Sequence, residues 1–197
     1  KETAALNDLK ELHVARLALI KDRTAASNRG KTFAQPLLKQ QNAARLKQIE
    51  TQLAQVDKAI MALIEADETL KARFDIIVSI PGLSTVTAFA LLIEMPELGD
   101  LEGKAAAALT GLAPRDRQSG RWTGRAFIAG GRAIVRRALY MPALVAIRFN
   151  PDLKAKYDQL IKSGKPPKVA ITAIMRKLII LANALLRQNR IWKPKIA

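Results

Sequence analysis

Hydrophobic positions along the chain change their period at residue 74. In residues 1–29, Leu6, Leu9, Leu12, Leu17, Leu19 and Ile20 recur among good helix formers and predict a helix. The stretch Ser27-Asn28-Arg29-Gly30-Lys31 is turn-like. Pro36 suits the first turn of a second helix, where a missing N–H costs nothing. From Leu46, apolar steps of three and four run through Ile49, Leu53, Val56, Ile60 and Leu63. The register continues to Leu70 and Phe74, with Asp67 as its one polar interruption. This is the coiled-coil period, held for about four heptads. The two helices are expected to form an antiparallel hairpin or to pair with another copy of the chain.

Beyond Phe74 the pattern is of short helices. Ile76-Ile77-Val78 is followed by Ser79-Ile80-Pro81-Gly82-Leu83-Ser84-Thr85-Val86-Thr87-Ala88, an apolar helix from Phe89 to Met95, and a stop at Pro96. Residues 104–109 are Ala-rich and helical, and residues 111–131 are glycine-punctuated and read as a loop or hairpin. Residues 132–149 predict a helix kinked or broken near Pro142. Further helices are expected over 151–162 and 168–188, separated by the turn at 163–167. The class is mainly α. A coiled-coil helical hairpin over 1–74 precedes a compact helical domain over 75–190 with a helix-hairpin-helix-like element, and 191–197 form a tail.

Composition narrows the function. Of 197 residues, 49% are hydrophobic, enough for a real core and against intrinsic disorder. Zero cysteines exclude a disulfide scaffold and a thiolate metal site. The single histidine, His13, reads as structural, and no metal site is expected in this chain. No membrane span is expected, because Arg176, Lys177 and Arg187 interrupt the apolar run near the C-terminus. Lys1, without a preceding Met or signal segment, reads as the start of a piece of a longer protein.

Charge is divided unevenly. Residues 1–100 hold 13 Lys and Arg and 13 Asp and Glu, whereas residues 101–197 hold 20 basic residues against only Glu102, Asp116, Asp152 and Asp158. The whole formal net charge of +16 belongs to the second half. A surface so poor in acids repels itself, and a polyanion relieves that cost. Nucleic acid is the expected polyanion.

Two constellations carry candidate chemistry. Ile80-Pro81-Gly82-Leu83, with Ala88 beyond it, resembles the hairpin of a helix-hairpin-helix module. In such a hairpin the glycine exposes amides at a helix start to a phosphate. Gly82, Thr85 and Thr87 are the candidate contacts, although Ser84 stands where that module has its second glycine. The second constellation is Gly111-Leu112-Ala113-Pro114-Arg115-Asp116-Arg117-Gln118-Ser119-Gly120-Arg121, extended by Trp122-Thr123-Gly124-Arg125. Between 111 and 137 lie seven arginines, no lysine and one acid, Asp116. Planar guanidinium forks suit phosphate, so Arg115, Arg117, Arg121, Arg125, Arg132 and Arg136 are candidate clamps. Ser119 stands among them. A serine hydroxyl needs its proton removed before it attacks, whereas guanidinium groups stabilise the charge that builds on an attacked phosphate. Asp116 is a conceivable base or an orienter of arginine. Trp122 and Trp192 suit either base stacking or packing.

The order of heptads, Ile80-Pro81-Gly82-Leu83-Ser84-Thr85-Val86-Thr87-Ala88, the Leu109-to-Arg121 segment and the Ile171-to-Leu186 helix resembles the C-terminal part of the IS-one-ten group of insertion-sequence transposases. That group includes Piv-type DNA invertases and bridge-RNA-guided recombinases. The resemblance covers roughly residues 75–190. It implies a transposase or DNA recombinase whose serine nucleophile falls on Ser119 and attacks a DNA phosphodiester through a transient phosphoserine link. It also implies a RuvC-like domain outside this chain, holding a divalent metal, Mg, on four acids; no cofactor is expected here. The implied partners are DNA, a guide RNA in some members, and a second copy through the coiled coil, in the bacterial cytoplasm. Two other readings stand beside it. One is a non-catalytic, architectural helix-hairpin-helix nucleic-acid binder, and the other a coiled-coil scaffold whose charge is incidental.

Overall fold

The computed structural model describes residues 4–119, 122–124 and 126–194. The chain divides into two compact units, residues 1–71 and 72–197. The first is built on two long helices, α1 (Ala4–Gly30) and α2 (Pro36–Glu65), packed antiparallel along each other. Pro36 occupies the first turn of α2, the position its missing N–H allows. Ala26 of α1 packs with Ile49 and Leu53 of α2, and Leu19, Ile20 and Leu46 flank this cluster. Nearer the other end, buried Arg16 pairs through its guanidinium with Asp57 at 2.5 Å. A buried arginine needs such a partner, because an uncompensated charge there would be strongly destabilising.

The heptad register does not run unbroken to Phe74. Helix α2 stops at Glu65, with Ala66 as its cap, and α3 (Glu68–Val78) begins afresh. Asp67 is the reason: its Oδ1 accepts the backbone N–H groups of Thr69 and Leu70 at 2.9 and 3.0 Å. The polar interruption is therefore a helix N-cap, which terminates one helix by starting the next.

Among the described residues, the regular structure of the second unit is helical apart from one small ladder and a single bridge. After α3 come α4 (Thr85–Glu94), α5 (Gly103–Leu109), strands β1 (Gln118–Ser119) and β2 (Trp122–Thr123), then α6 (Ala133–Ala138), α7 (Tyr140–Phe149), α8 (Pro151–Lys162) and α9 (Pro167–Arg187). The break between α6 and α7 falls at Leu139, three residues before Pro142, whose ring nitrogen has no N–H for the Ala138 carbonyl. Asn150 caps α8 through its side chain, which accepts from the Leu153 N–H at 3.2 Å.

Helix α9 is the spine of this unit and packs against α5, α7 and α8. By length and composition it would suffice to cross a membrane, which exceeds the sequence expectation. Its apolar face is instead core: Ile174, Leu178, Ile179, Ala182 and Leu185 are buried. Asn183, 3% exposed on the same helix, accepts from the Gly99 N–H at 2.8 Å and donates to the Leu101 carbonyl at 2.6 Å. Arg187 also donates to Gly99 and Leu101 carbonyls, so the segment between α4 and α5 is fastened to α9. After α9, the Trp192 N–H donates to Ser79 Oγ at 2.8 Å, which docks the start of the tail.

Two predictions follow from these buried polar groups. Asn183→Ala strands the buried Gly99 N–H, while Arg187 still donates to the Leu101 carbonyl, and should cost about 1–3 kcal/mol, read as a lower urea midpoint. His13, 2% exposed, has its pKa pushed below the ordinary 6.5, first by burial and then by neighbouring Arg16. Protons therefore bind the unfolded chain more readily than the folded one. The stability this histidine contributes is complete above pH 6.5 and is lost as pH falls below it. Comparing urea midpoints at neutral and mildly acid pH should show that loss in the native chain and a smaller one in His13→Leu.

Candidate nucleic-acid interface

The arginine-rich segment leaves the helical core and returns to it as one irregular hairpin. At its root the Arg132 N–H donates to the Leu109 carbonyl at 2.7 Å. One step out, Gly111 and Gly131 meet backbone to backbone, both with positive φ, 69° and 63°. A Cβ on Gly131 would collide with the Gly111 nitrogen and lie 2.6 Å from the Leu109 carbonyl oxygen. A Cβ on Gly111 would strike the Gly130 carbonyl and the Arg136 guanidinium. Only glycine at both positions lets the two stems close this tightly.

Further along, Arg115 and Phe127 exchange both backbone bonds, at 2.8 and 3.1 Å. The Gly124 N–H donates to the Arg117 carbonyl at 2.8 Å, and β1 pairs antiparallel with β2, Gln118 opposite Thr123 and Ser119 opposite Trp122. Ser119 is exposed, as are Arg115, Asp116 and Arg117. Thus the hairpin holds Ser119 out from the core on a frame of main-chain bonds, with arginines two and four residues before it.

The predicted clamps divide by environment. Arg115 and Arg117 lie exposed on the first stem, and Arg121 and Arg125 lie outside the described residues. Arg132 instead turns inward. Its Nη1 donates to the Glu94 carbonyl at 2.6 Å and pairs with Glu97 Oε1 at 2.6 Å. Arg136 Nη1 donates to the Gly130 carbonyl at 2.6 Å and to that of Thr110 at 3.3 Å. Neither pairing carries a signal in the sequence, because arginines on carbonyls and arginines on phosphate are the same letters.

The Ile80–Leu83 segment forms a tight turn with the Leu83 N–H on the Ile80 carbonyl at 3.0 Å. Pro81 and Gly82, the latter at φ 102°, occupy its central positions, the pattern of a type II turn. Gly82 packs against α7: a Cβ there would sit 2.7 Å from the Pro142 carbonyl oxygen. Thr85 is exposed at the first turn of α4. Thr87 corrects the sequence expectation, since it is 3% exposed with its hydroxyl 3.3 Å from that of Ser84. It belongs to the core because the α-helical period turns that position toward buried Ala88 and Leu91, not toward solvent.

One feature of the hairpin base escapes the sequence altogether. Phe127 and Ile128 are exposed beside Pro114, and with Val169, Lys168 and Arg176 of α9 they line an open cavity of about 450 Å³. Among the described residues no group of three His, Asp or Glu side chains gathers that could hold a metal ion.

Residues 75–158 match the Transposase IS116/IS110/IS902 family model. The chain is 33% identical over 148 residues to the pilin gene-inverting protein of Moraxella bovis, covering 73% of this chain and 46% of that protein. It is 31% identical over 161 residues to an insertion element IS900 protein of 42 kDa from Mycobacterium paratuberculosis, covering 73% and 39%. A 43.6 kDa insertion element IS110 protein of Streptomyces coelicolor is 26% identical over 156 residues, covering 78% and 38%. The chain thus spans less than half the length of the relatives it matches. These likenesses relate the region at residues 75–158 to a family of transposases. The chain is similar to the proteins of IS110-type insertion elements and resembles the C-terminal part of an IS110-type transposase.

Gly131→Ala should destabilise the second unit by more than about 1 kcal/mol, through both the left-handed backbone and the collision with the opposite stem. Hydrogen exchange checks it: the Arg115 and Phe127 amides should lose protection in the variant while α9 keeps its own.

Proposed function

We propose that this chain is the DNA-engaging, nucleophile-bearing part of a transposase or site-specific recombinase, with Ser119 as the nucleophile. The observation that carries the reading is the exposure of Ser119 on a main-chain-bonded hairpin whose first stem presents Arg115 and Arg117. In this reading Ser119 Oγ forms a bond to the scissile phosphorus as the bond from phosphorus to a sugar oxygen breaks. The serine proton passes to a base, and a proton returns to the departing sugar oxygen. The phosphoserine ester keeps the energy of the broken diester, so a second sugar hydroxyl can reverse the step and join a new partner. Guanidinium groups hold the non-bridging oxygens on which charge grows, an arrangement stronger in the transition state than in the ground state.

The divalent metal implied by the family resemblance belongs to a RuvC-like domain. The described residues offer no ligand set for it, so no step here passes through it. DNA is the proposed polyanion, and a guide RNA would meet the same cationic face, which lies in the half of the chain that carries the whole net charge. A second copy of the chain would associate through the hairpin of α1 and α2.

Ser119→Ala in the full-length recombinase tests this. Strand cleavage and rejoining should fall by at least a thousandfold while DNA affinity stays within about threefold. Near-native recombination by the variant would remove the nucleophile and leave an architectural nucleic-acid binder. Titrating salt examines the binding itself: log K should fall linearly with log[salt], with a slope of about −0.9 for each duplex phosphate neutralised. Absent or salt-insensitive binding would favour a protein scaffold.

A further inference from the structure

The pairings of Arg136 and Arg132 give these two side chains a task different from that of the arginines on the hairpin's outer part. We propose that Arg136 is a positioning residue, assisted by Arg132, which fixes the direction in which the hairpin presents Ser119. The proposal rests on the reading of Ser119 as nucleophile for its consequence in catalysis, and on the hairpin's geometry alone for its structural part.

Arg136 Nη1 lies between two carbonyls that belong to opposite stems, Gly130 at 2.6 Å and Thr110 at 3.3 Å. One planar group therefore spans the gap that the Gly111–Gly131 contact closes. The guanidinium also fills the space where a Cβ of Gly111 would stand, so glycine and arginine are complementary in shape at this point. Arg132 lies four residues earlier, at the start of α6, where it ties the returning stem to the end of α4 through the Glu94 carbonyl and the Glu97 carboxylate. The main-chain bond from Arg132 to the Leu109 carbonyl completes a three-point anchorage. Hairpins of so few paired residues are marginal by themselves, so the aim of this one depends on its root.

Lysine separates the two roles, because it keeps the positive charge but replaces the planar fork with a single ammonium point. In the full chain, Arg136→Lys should lower the exchange protection of the Arg115, Gly124 and Phe127 amides at least tenfold while α9 amides such as that of Leu178 are unchanged. Its salt slope on short duplex DNA should match that of the native chain. In the full-length recombinase the same variant should lower the maximal cleavage rate about tenfold, with the half-saturating DNA concentration within twofold. A purely stabilising residue would leave that rate untouched at temperatures where the variant is folded.

Glu97→Gln is the second variant. It weakens the Arg132 anchorage without removing a cation, and it should loosen the same three amides. The proposal is overturned if Arg136→Lys keeps full hairpin protection, or if Arg136→Gln keeps that protection while its salt slope becomes shallower by about 0.9, the mark of a lost phosphate contact. Should Arg136→Lys unfold the whole unit, Glu97→Gln decides alone: unchanged hairpin protection in it overturns the proposal. If Ser119→Ala leaves recombination intact, the reading of the nucleophile fails, yet the exchange measurements still judge the anchorage.

Discussion

The backbone contact between Gly111 and Gly131 is the constraint on which the rest of the candidate site depends. Two chain segments approach there until no side chain fits between them. That approach is tolerable because the exposed carbonyls find donors: Leu109 takes the Arg132 N–H, and Gly130 and Thr110 take the Arg136 guanidinium. The narrow root then sets the spacing for the Arg115–Phe127 pair and for the two short strands beyond. A hairpin of this length would fray without such a closure.

The helical core supplies the other half of the arrangement. Asn183 and Arg187 on α9 hold the backbone of residues 99–101, from which α5 departs toward the hairpin root. Arg73 donates to the Pro96 and Leu98 carbonyls on the other side of the same connection. Its pKa is lowered by burial, against which Asp100 acts to raise it. The unit thus uses arginine repeatedly as a donor to unpaired carbonyls at helix ends and loops, groups that would otherwise stay unsatisfied. Part of the basic charge counted in the sequence, that of Arg73, Arg132, Arg136 and Arg187, therefore does structural duty, while its field still reaches solvent.

Most of the fold was legible in the sequence because periodicity and punctuation are local. Pro36 and Pro151 open helices where expected, α9 begins at Pro167, one residue before its expected start, and its amphipathic stripe lies on the buried face. Asp67 was visible as an interruption, but whether a polar residue in a heptad is tolerated or caps a new helix depends on backbone angles that spacing does not encode. Thr87 misled for a related reason: its hydroxyl was read as a ligand although its helical position points into the core. The hairpin was legible as a glycine-punctuated loop, and Ser119 as its central residue. The division of arginines was not, because the partners of Arg132 and Arg136 are carbonyls, which every residue carries, and one carboxylate 35 positions away in sequence.

Among the described residues, the hairpin's outer part is framed by main-chain bonds between Arg115 and Phe127, between Arg117 and Gly124, and between β1 and β2, which any residue but proline can make. Asp116 and Gln118 are exposed on that frame, so their exchange should leave it unaltered so long as the glycines and arginines of the root persist. A lineage of such proteins would then be free to drift in the residues it displays while conserving how they are held. In that sense the root is the heritable tool handle, and the outer side chains are the interchangeable bit.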